Sequence, residues 1–315
     1  MEIKKTRSKT KPVIAIIGPT GTGKSRLAVQ LAQKFDGEIV NADSRQVYRH
    51  MDIGTAKPSP EDRKLVPHHL FDILNPSDDF SLAQYQQLAY QTIRDIHKRR
   101  KLPLLVGGSG QYVWAVLEGW QIPRIPPDLK LRNNLEKVAS NQGAEELYQK
   151  LQEIDPAAAL KIDKRNIRRV IRALEVSLQA RVPISKLQVK KTPNFETLII
   201  GLTAARAELY RRIDSRVVDM ARQGLVAETE KLAQQGYDFS LPSLTSIGYR
   251  TVALMLKGEI DQQEAMRRIK ADNHRFVRHQ YAWFRLKDKR IHWFNVGAQT
   301  PSEIMMLLSD FLYPE

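Results

Sequence analysis

The most constraining feature of this 315-residue chain is Gly18-Pro19-Thr20-Gly21-Thr22-Gly23-Lys24-Ser25, directly after the apolar run Val13-Ile14-Ala15-Ile16-Ile17. This is the spacing G-x-x-x-x-G-K-S in the setting it requires, a buried strand that leads into a helix. Glycines let the backbone turn its N–H groups inward around an anion. Lys24 adds a point charge, and Ser25 offers a hydroxyl to Mg²⁺. Leu27, Ala28 and Leu31 then share one helical face, so the positive end of a helix points at the same anion. The motif implies a di- or triphosphate site built from Gly18, Thr20, Gly21, Thr22, Gly23, Lys24 and Ser25.

The surrounding pattern sets the fold class. Residues 13–17, 38–42 and 102–106 read as buried strands, and residues 82–100 and 112–118 as helices. A β-α-β-α-β order implies a parallel sheet with crossover helices, an α/β core of the phosphate-loop kind. Three prolines within residues 121–128 mark a boundary. Beyond it come helical patterns at 129–139, 144–154 and 164–178. A strand follows at 197–202, then helices at 206–223, 225–235, 246–257 and 261–286, a strand at 290–295 and a helix at 301–312. The expectation is a core of residues 13–121 and 196–315, with an all-helical insertion over 122–195. Residues 1–12 read as a disordered basic arm, without the apolar stretch of a secretory signal.

Composition narrows the chemistry. The chain has no cysteine, which excludes disulfides, thiolate metal sites and cysteine nucleophiles and suits a cytoplasmic enzyme. No apolar run reaches transmembrane length, so no membrane partner is expected. The formal charge is +15. Residues 161–191 carry ten basic and two acidic side chains, and residues 266–290 carry nine and two. These two windows hold the whole excess. A localised excess of that size favours a nucleic-acid partner over general solubility.

Within the sheet pattern, Asp43 ends the second strand beside the phosphate loop. It suits Mg²⁺ ligation or general base work. The third strand ends in Gly107-Gly108-Ser109-Gly110 with no carboxylate, which disfavours motor-type ATP hydrolysis and favours group transfer. Arg165, Arg168, Arg169 and Arg172 fall on one helical stripe, opposite Ile167, Val170, Ile171 and Leu174. Four such arginines repel unless anions meet them, and the arginine fork suits phosphate. The 261–286 helix interleaves Arg275, Arg278 and Arg285 with Phe276, Tyr281, Trp283 and Phe284; its basic residues read as contacts and its aromatics mostly as packing. His68-His69, with no further ligands nearby, is a poor metal pair. On residues alone a phosphate-loop small-molecule kinase and a nucleic-acid-binding NTPase remain as alternatives. The kinase leaves the basic windows unexplained, and the missing strand-end acid counts against the NTPase.

Taken together, these motifs resemble the tRNA dimethylallyltransferases, also called tRNA isopentenyltransferases. The matching strings include Asn41-Ala42-Asp43-Ser44-Arg45-Gln46-Val47-Tyr48, Met51-Asp52-Ile53-Gly54-Thr55-Ala56-Lys57, Pro67-His68-His69-Leu70-Phe71-Asp72 and Leu105-Val106-Gly107-Gly108-Ser109-Gly110. Further matches are residues 168–175, Arg216 with Met220, Ser246-Ile247-Gly248-Tyr249-Arg250 and Gln280-Tyr281-Ala282-Trp283-Phe284-Arg285. The resemblance implies that the loop holds dimethylallyl diphosphate and that the group moves to N6 of the adenosine at position 37, in the tRNA anticodon stem-loop. Asp43 would be the general base. Lys24, Ser25 and Mg²⁺ would hold the diphosphate with Arg216, and Asp43 is a second candidate metal ligand. Thr20 and Ser109 would line the reaction channel. The implied tRNA contacts are Asp43, Ser44, Arg45, Gln46, Ser109, Arg168, Arg169, Arg172, Ile247, Gly248, Tyr249, Arg250, Arg278, Gln280, Trp283 and Arg285. A monomer is expected. This chain has Ser25 and Ser109 where the family commonly has Thr, and Arg278-His279 where Lys-Arg is usual.

Overall fold

The computed structural model describes residues 11–123 and 125–314. Among them, the strands are β1 (Pro12–Ile17), β2 (Gly37–Asn41), β3 (His68–His69), β4 (Leu102–Val106), β5 (Glu196–Thr203) and β6 (Ile291–Asn295). They form one parallel sheet in the order β3-β2-β4-β1-β5-β6. The helices that precede the proline-rich segment are α1 (Lys24–Phe35), α2 (Pro60–Leu65), α3 (Leu82–Lys98) and α4 (Gly110–Leu117). After it come α5 (Leu129–Gln142), α6 (Ala144–Ile154), α7 (Pro156–Ala159), α8 (Ile167–Ala180) and α9 (Ile184–Leu187). The remainder are α10 (Arg206–Gln223), α11 (Leu225–Gln234), α12 (Ile247–Leu256), α13 (Gln262–Trp283) and α14 (Thr300–Leu312).

The central strands are buried along their whole length, so they read as continuous apolar runs rather than alternating ones. Ile14, Ile16, Leu104 and Ile200 pack with Leu27 and Leu31 of α1 and with Leu308 and Leu312 of α14. The Ser81 hydroxyl and the Gln84 side chain form a reciprocal cap that starts α3.

Strand register decides where the loops go. Asn41 lies opposite Val106, and Val106 lies opposite Ile16. Three neighbouring strands therefore end level, and the turns after them emerge side by side. They touch closely. A Cβ on Gly107 would sit 2.1 Å from the Ala42 carbonyl oxygen, and one on Gly18, at φ 130°, would sit 2.2 Å from that of Leu202. Only glycine fits at either point.

The chain divides into two compact units: residues up to Leu117 with those from Asn194 onward, and Glu118–Pro193. These limits lie within four residues of the expected 122–195. Of the expected arm, residues 1–10 lie outside the described residues. Pro12 does not belong to it, because it opens β1 and pairs with Glu196.

The helical unit packs Leu147, Leu151, Val170 and Leu174 into one core and buries one unexpected group besides. The Glu175 carboxylate is fully buried, on the inward face of α8. It accepts two bonds from Arg132, one from Arg172 and one from the Asp128 backbone N–H, at 2.6–3.0 Å. Arg172 also donates to the Ile125 carbonyl. The arginine stripe is thus split. Arg165 is spent on Asp163, and it precedes the helix. Arg172 bonds to Glu175 and is partly exposed. Arg168 and Arg169 are exposed, and their guanidinium groups take no protein partner among the described residues.

Burial alone would raise the Glu175 pKa, but the arginine and backbone bonds outweigh it and hold it below the ordinary carboxylate value. A lowered native pKa contributes stability that is complete above the ordinary carboxylate range and lost as pH falls through the lowered value. Glu175→Ala leaves two cations without their acceptor and is expected to destabilise the helical unit by about 3 kcal/mol. Hydrogen exchange of α5 and α8 amides in the whole chain checks this. Protection equal to that of the parent would show that the arginines find other partners.

Candidate active site

The phosphate loop, the tip after β2 and the turn after β4 meet at one cavity of about 440 Å³. Its lining includes Thr20, Gly21, Gly23, Lys24, Ser25, Asp43, Gln46, Gly107, Gly108, Arg216 and Gln280. The loop holds its shape with its own bonds. The Pro19 carbonyl accepts from Lys24 Nζ at 2.7 Å and from the Thr22 hydroxyl at 2.9 Å.

Asp43 is aimed by its neighbours. The buried Asn41 side chain accepts from the Asp43 N–H at 2.8 Å and donates to the Asp43 and Leu70 carbonyls. The Asp43 carboxylate then accepts the Arg45 N–H at 2.8 Å, an Asx turn. Ser109 Oγ accepts the Ser44 N–H at 2.9 Å, which ties the β4 turn to the β2 tip.

Charges of both signs line the cavity. Burial, helped by the neighbouring Arg216 cation and opposed by Asp43, pushes the Lys24 ammonium down to about 7. Burial likewise lowers Arg216, whose Nη1 donates to the Thr20 hydroxyl at 3.0 Å. Burial raises Asp43 above the ordinary carboxylate value, although the Arg45 N–H and the Lys24 charge oppose it. Two cations suited to an anionic ligand therefore share the cavity with a carboxylate of increased basicity.

Several expected RNA contacts have other partners here. Gln280 is almost fully buried. It accepts the Thr20 N–H at 2.9 Å and donates to the Gly108 carbonyl at 3.1 Å, so it bridges the phosphate loop and the β4 turn. Tyr249 is fully buried, with its hydroxyl on Glu228 at 2.6 Å, and Gly248 is buried beside it. Tyr249 and Gly248 are buried where two segments pack, and Gln280 reaches the lining of the cavity itself. Gln46 donates to the Thr55 and Ala56 carbonyls. Arg45 donates to the Pro242 and Ser243 carbonyls, and Arg250 pairs with Asp272. Ile247 is half-buried. Trp283 is 40% exposed, and its backbone carbonyl accepts from Trp114. Arg278 and Arg285 are exposed. His69 bonds to Glu38, which also holds Arg99, so the histidine pair belongs to the β3 edge of the sheet.

Glu228 is a residue that the sequence pattern gave no reason to select. Its carboxylate accepts the backbone N–H groups of Asp52, Ile53 and Gly54 at 2.9–3.1 Å, besides the Tyr249 hydroxyl. It thereby holds the 51–57 loop, whose Thr55, Ala56 and Lys57 form part of the cavity wall. Lys57 is buried and bonds to Asp52, Asp72 and the Tyr48 carbonyl. The only available signal was Glu228 three residues past Leu225 on an otherwise ordinary amphipathic helix.

A parallel sheet with a phosphate loop, crossover helices and a strand-end carboxylate defines a phosphate-loop α/β protein of the group-transfer kind. Residues 46–287 match the IPP transferase family, and residues 11–68 match the isopentenyl transferase family. The chain is 48% identical over 301 residues to a tRNA dimethylallyltransferase of Dehalococcoides mccartyi, covering 96% of this chain and 93% of that one. It is 52% identical over 274 residues to one from Roseiflexus castenholzii, covering 87% and 90%. The crystal structure of the full-length tRNA isopentenylpyrophosphate transferase of Bacillus halodurans superposes with a TM-score of 0.71 at 40% identity, over 96% of both chains. A eukaryotic dimethylallyltransferase acting on tRNA gives a TM-score of 0.82 at 27% identity, over 96% and 79%. This chain belongs to the tRNA dimethylallyltransferase family.

Glu228→Ala should free the 51–57 loop. Hydrogen bonds to a charged acceptor contribute about 1.5–3 kcal/mol each, so amide exchange at Asp52, Ile53 and Gly54 is expected to rise about a hundredfold. Unchanged exchange there would mean that Tyr249 and Lys57 hold the loop without it.

Proposed function

We propose that this chain transfers the dimethylallyl group of dimethylallyl diphosphate to N6 of the adenosine at position 37 of tRNA, next to the anticodon, with release of diphosphate. The observation that carries the reading is that Lys24, Arg216 and Asp43 line one cavity. An anionic leaving group needs the cations, and a proton-bearing nucleophile needs the carboxylate. Family membership supports the substrate pair.

The chemistry follows from the positions. The phosphate loop, Lys24 and Arg216 hold the diphosphate and neutralise the charge that develops as the C1–O bond breaks. The N6 lone pair forms the new bond to C1, and the electrons of the C1–O bond leave with diphosphate. The N6 proton passes to Asp43, whose raised pKa suits it to accept that proton. Ser109, tied to Ser44, borders the same turn and can hydrogen-bond the incoming base. The base must leave its stack to arrive there, as in other base-modifying enzymes.

Mg²⁺ fits the donors present. Ser25 is exposed at the first turn of α1, its hydroxyl takes no protein partner among the described residues, and Asp43 lines the same cavity. No cluster of three or more protein ligands occurs among the described residues. Such a sparse oxygen set suits an ion that keeps waters and binds through phosphate. When bound, Mg²⁺ supplies further neutralisation of the leaving diphosphate. Ser25, with Asp43 as a second ligand, would hold it. Arg168 and Arg169 on the helical unit and Arg285 on the core are assigned to RNA phosphates, and the enzyme is taken as a cytoplasmic monomer.

Incubation with tRNA, dimethylallyl diphosphate and Mg²⁺, followed by nucleoside analysis, should yield N6-isopentenyladenosine. Phosphorylated product from ATP, without prenylated adenosine, would sink the reading. Asp43→Ala should abolish transfer and leave tRNA affinity within a few-fold of the parent. An equal loss of tRNA binding would make Asp43 a recognition residue.

A further inference from the structure

A tyrosine outside the cavity lies two hydrogen bonds behind Asp43. Tyr85, near the start of α3, is fully buried, and its hydroxyl donates to the Asn41 carbonyl at 2.9 Å. Asn41 is buried as well. Its side chain accepts the Asp43 N–H and donates to the Asp43 and Leu70 carbonyls. Asn41 is therefore held at its main chain and at both polar atoms of its amide. The register of β2 with β4 ends at Asn41 and Val106. Beyond that point the chain turns, and the Asn41 amide takes over from the ladder.

The phenol is itself fixed. Its ring stacks on that of Tyr112, from α4, with centres 3.7 Å apart and 18° between the planes. The Ser81–Gln84 cap sets the start of α3 just before Tyr85. Gln86 donates to the Ala115 carbonyl at 2.6 Å and the Tyr90 hydroxyl to the Val116 carbonyl at 2.8 Å, so α3 is tied to α4. Tyr90 supplies the contrast. It lies on the same helix and makes the same type of bond, but its acceptor belongs to α4 and not to the strand that leads to Asp43.

We propose that Tyr85 is a positioning residue for the transfer reaction: through Asn41 it fixes where the Asp43 carboxylate stands relative to the incoming amine. The inference rests on the proposed function for the role of Asp43. Neither Tyr85 nor Asn41 lines the cavity, so the effect falls on the rate of transfer and not on substrate binding. A displacement of about 1 Å at a reacting group costs up to about a hundredfold in rate. Linked hydrogen bonds in a buried site strengthen one another, so loss of the first loosens those that follow.

The experiment compares the full chain with Tyr85→Phe and Tyr90→Phe. Each variant keeps the ring and leaves one backbone carbonyl without its phenol. Single-turnover transfer is measured with excess enzyme, tRNA, dimethylallyl diphosphate and Mg²⁺, beside the affinities for tRNA and for diphosphate. Tyr85→Phe is expected to slow transfer about tenfold, with both affinities within about twofold of the parent. Tyr90→Phe should transfer at the parental rate. Equal rates in all three proteins would overturn the proposal. So would an equal loss in the two variants, which marks general loosening of α3, or a loss of affinity large enough to explain the loss of rate. Asn41→Ala tests the route. It should slow transfer more than Tyr85→Phe does, and the double variant Tyr85→Phe/Asn41→Ala should be no slower than Asn41→Ala alone. Additive losses would overturn the route through Asn41. Should Tyr85→Phe not fold, slowed transfer with unchanged affinities in Asn41→Ala supports the proposal, and a parental rate there overturns it. Amide exchange at Asp43 and Arg45 gives a reading free of activity: it should rise in Tyr85→Phe and stay parental in Tyr90→Phe. Failure of the proposed function reads differently. The parent would then yield no prenylated nucleoside, while exchange at Asp43 still decides whether Tyr85 holds it.

Discussion

The site depends on one buried amide. Gln280, on a helix late in the chain, accepts from the backbone of Thr20 and donates to the backbone of Gly108. Those two groups belong to turns after neighbouring parallel strands, and neither turn has a regular ladder of its own. A backbone N–H and a carbonyl left unpaired inside a protein each cost about 1–3 kcal/mol, so the bridge both satisfies the groups and fixes the gap between the turns. The phosphate loop and the Ser109 turn are held in one geometry by a residue distant from both in sequence.

Opposite charge within a confined space then follows. Lys24 and Arg216 are driven towards their neutral forms by the same burial that makes Asp43 more basic. An anionic ligand reverses the penalty on the cations, and departure of a proton-bearing amine's proton reverses it on the carboxylate. The cavity is therefore most at ease when both substrates are present. The 51–57 loop closes one wall through a carboxylate, Glu228, wrapped by three consecutive N–H groups. It is an anion nest whose anion is part of the protein.

Much of this was legible in the residues. The phosphate loop could be read because strand, glycines, Lys24 and Ser25 lie within thirteen consecutive positions of the chain. The helices over Ala144–Ile154 and Arg206–Gln223 follow from apolar spacing alone, and the structure forms them at those residues. Short elements escaped. α7 and α9 have four residues each, too few for a period to show. The stripe of four arginines gave no sign of which members carry ion pairs. Glu175 sits where spacing puts an apolar residue, and the partner that makes its burial tolerable, Arg132, comes from another helix. Tyr249 and Gln280 stand in strings that mark the family, yet a string does not tell a buried strut from a surface contact.

By itself the sequence determined the class of fold, the anion site and the strand-end carboxylate, because those signals are local: a turn, a period, a helix start. Which charged groups are free and which are spent was decided only by the tertiary structure. Arg168 and Arg172 differ by one turn of helix, but Arg172 reaches a buried carboxylate and Arg168 does not. Pairing depends on what another segment brings within about 3 Å, and hydrogen bonds decline steeply beyond that distance. No one-dimensional pattern encodes that approach.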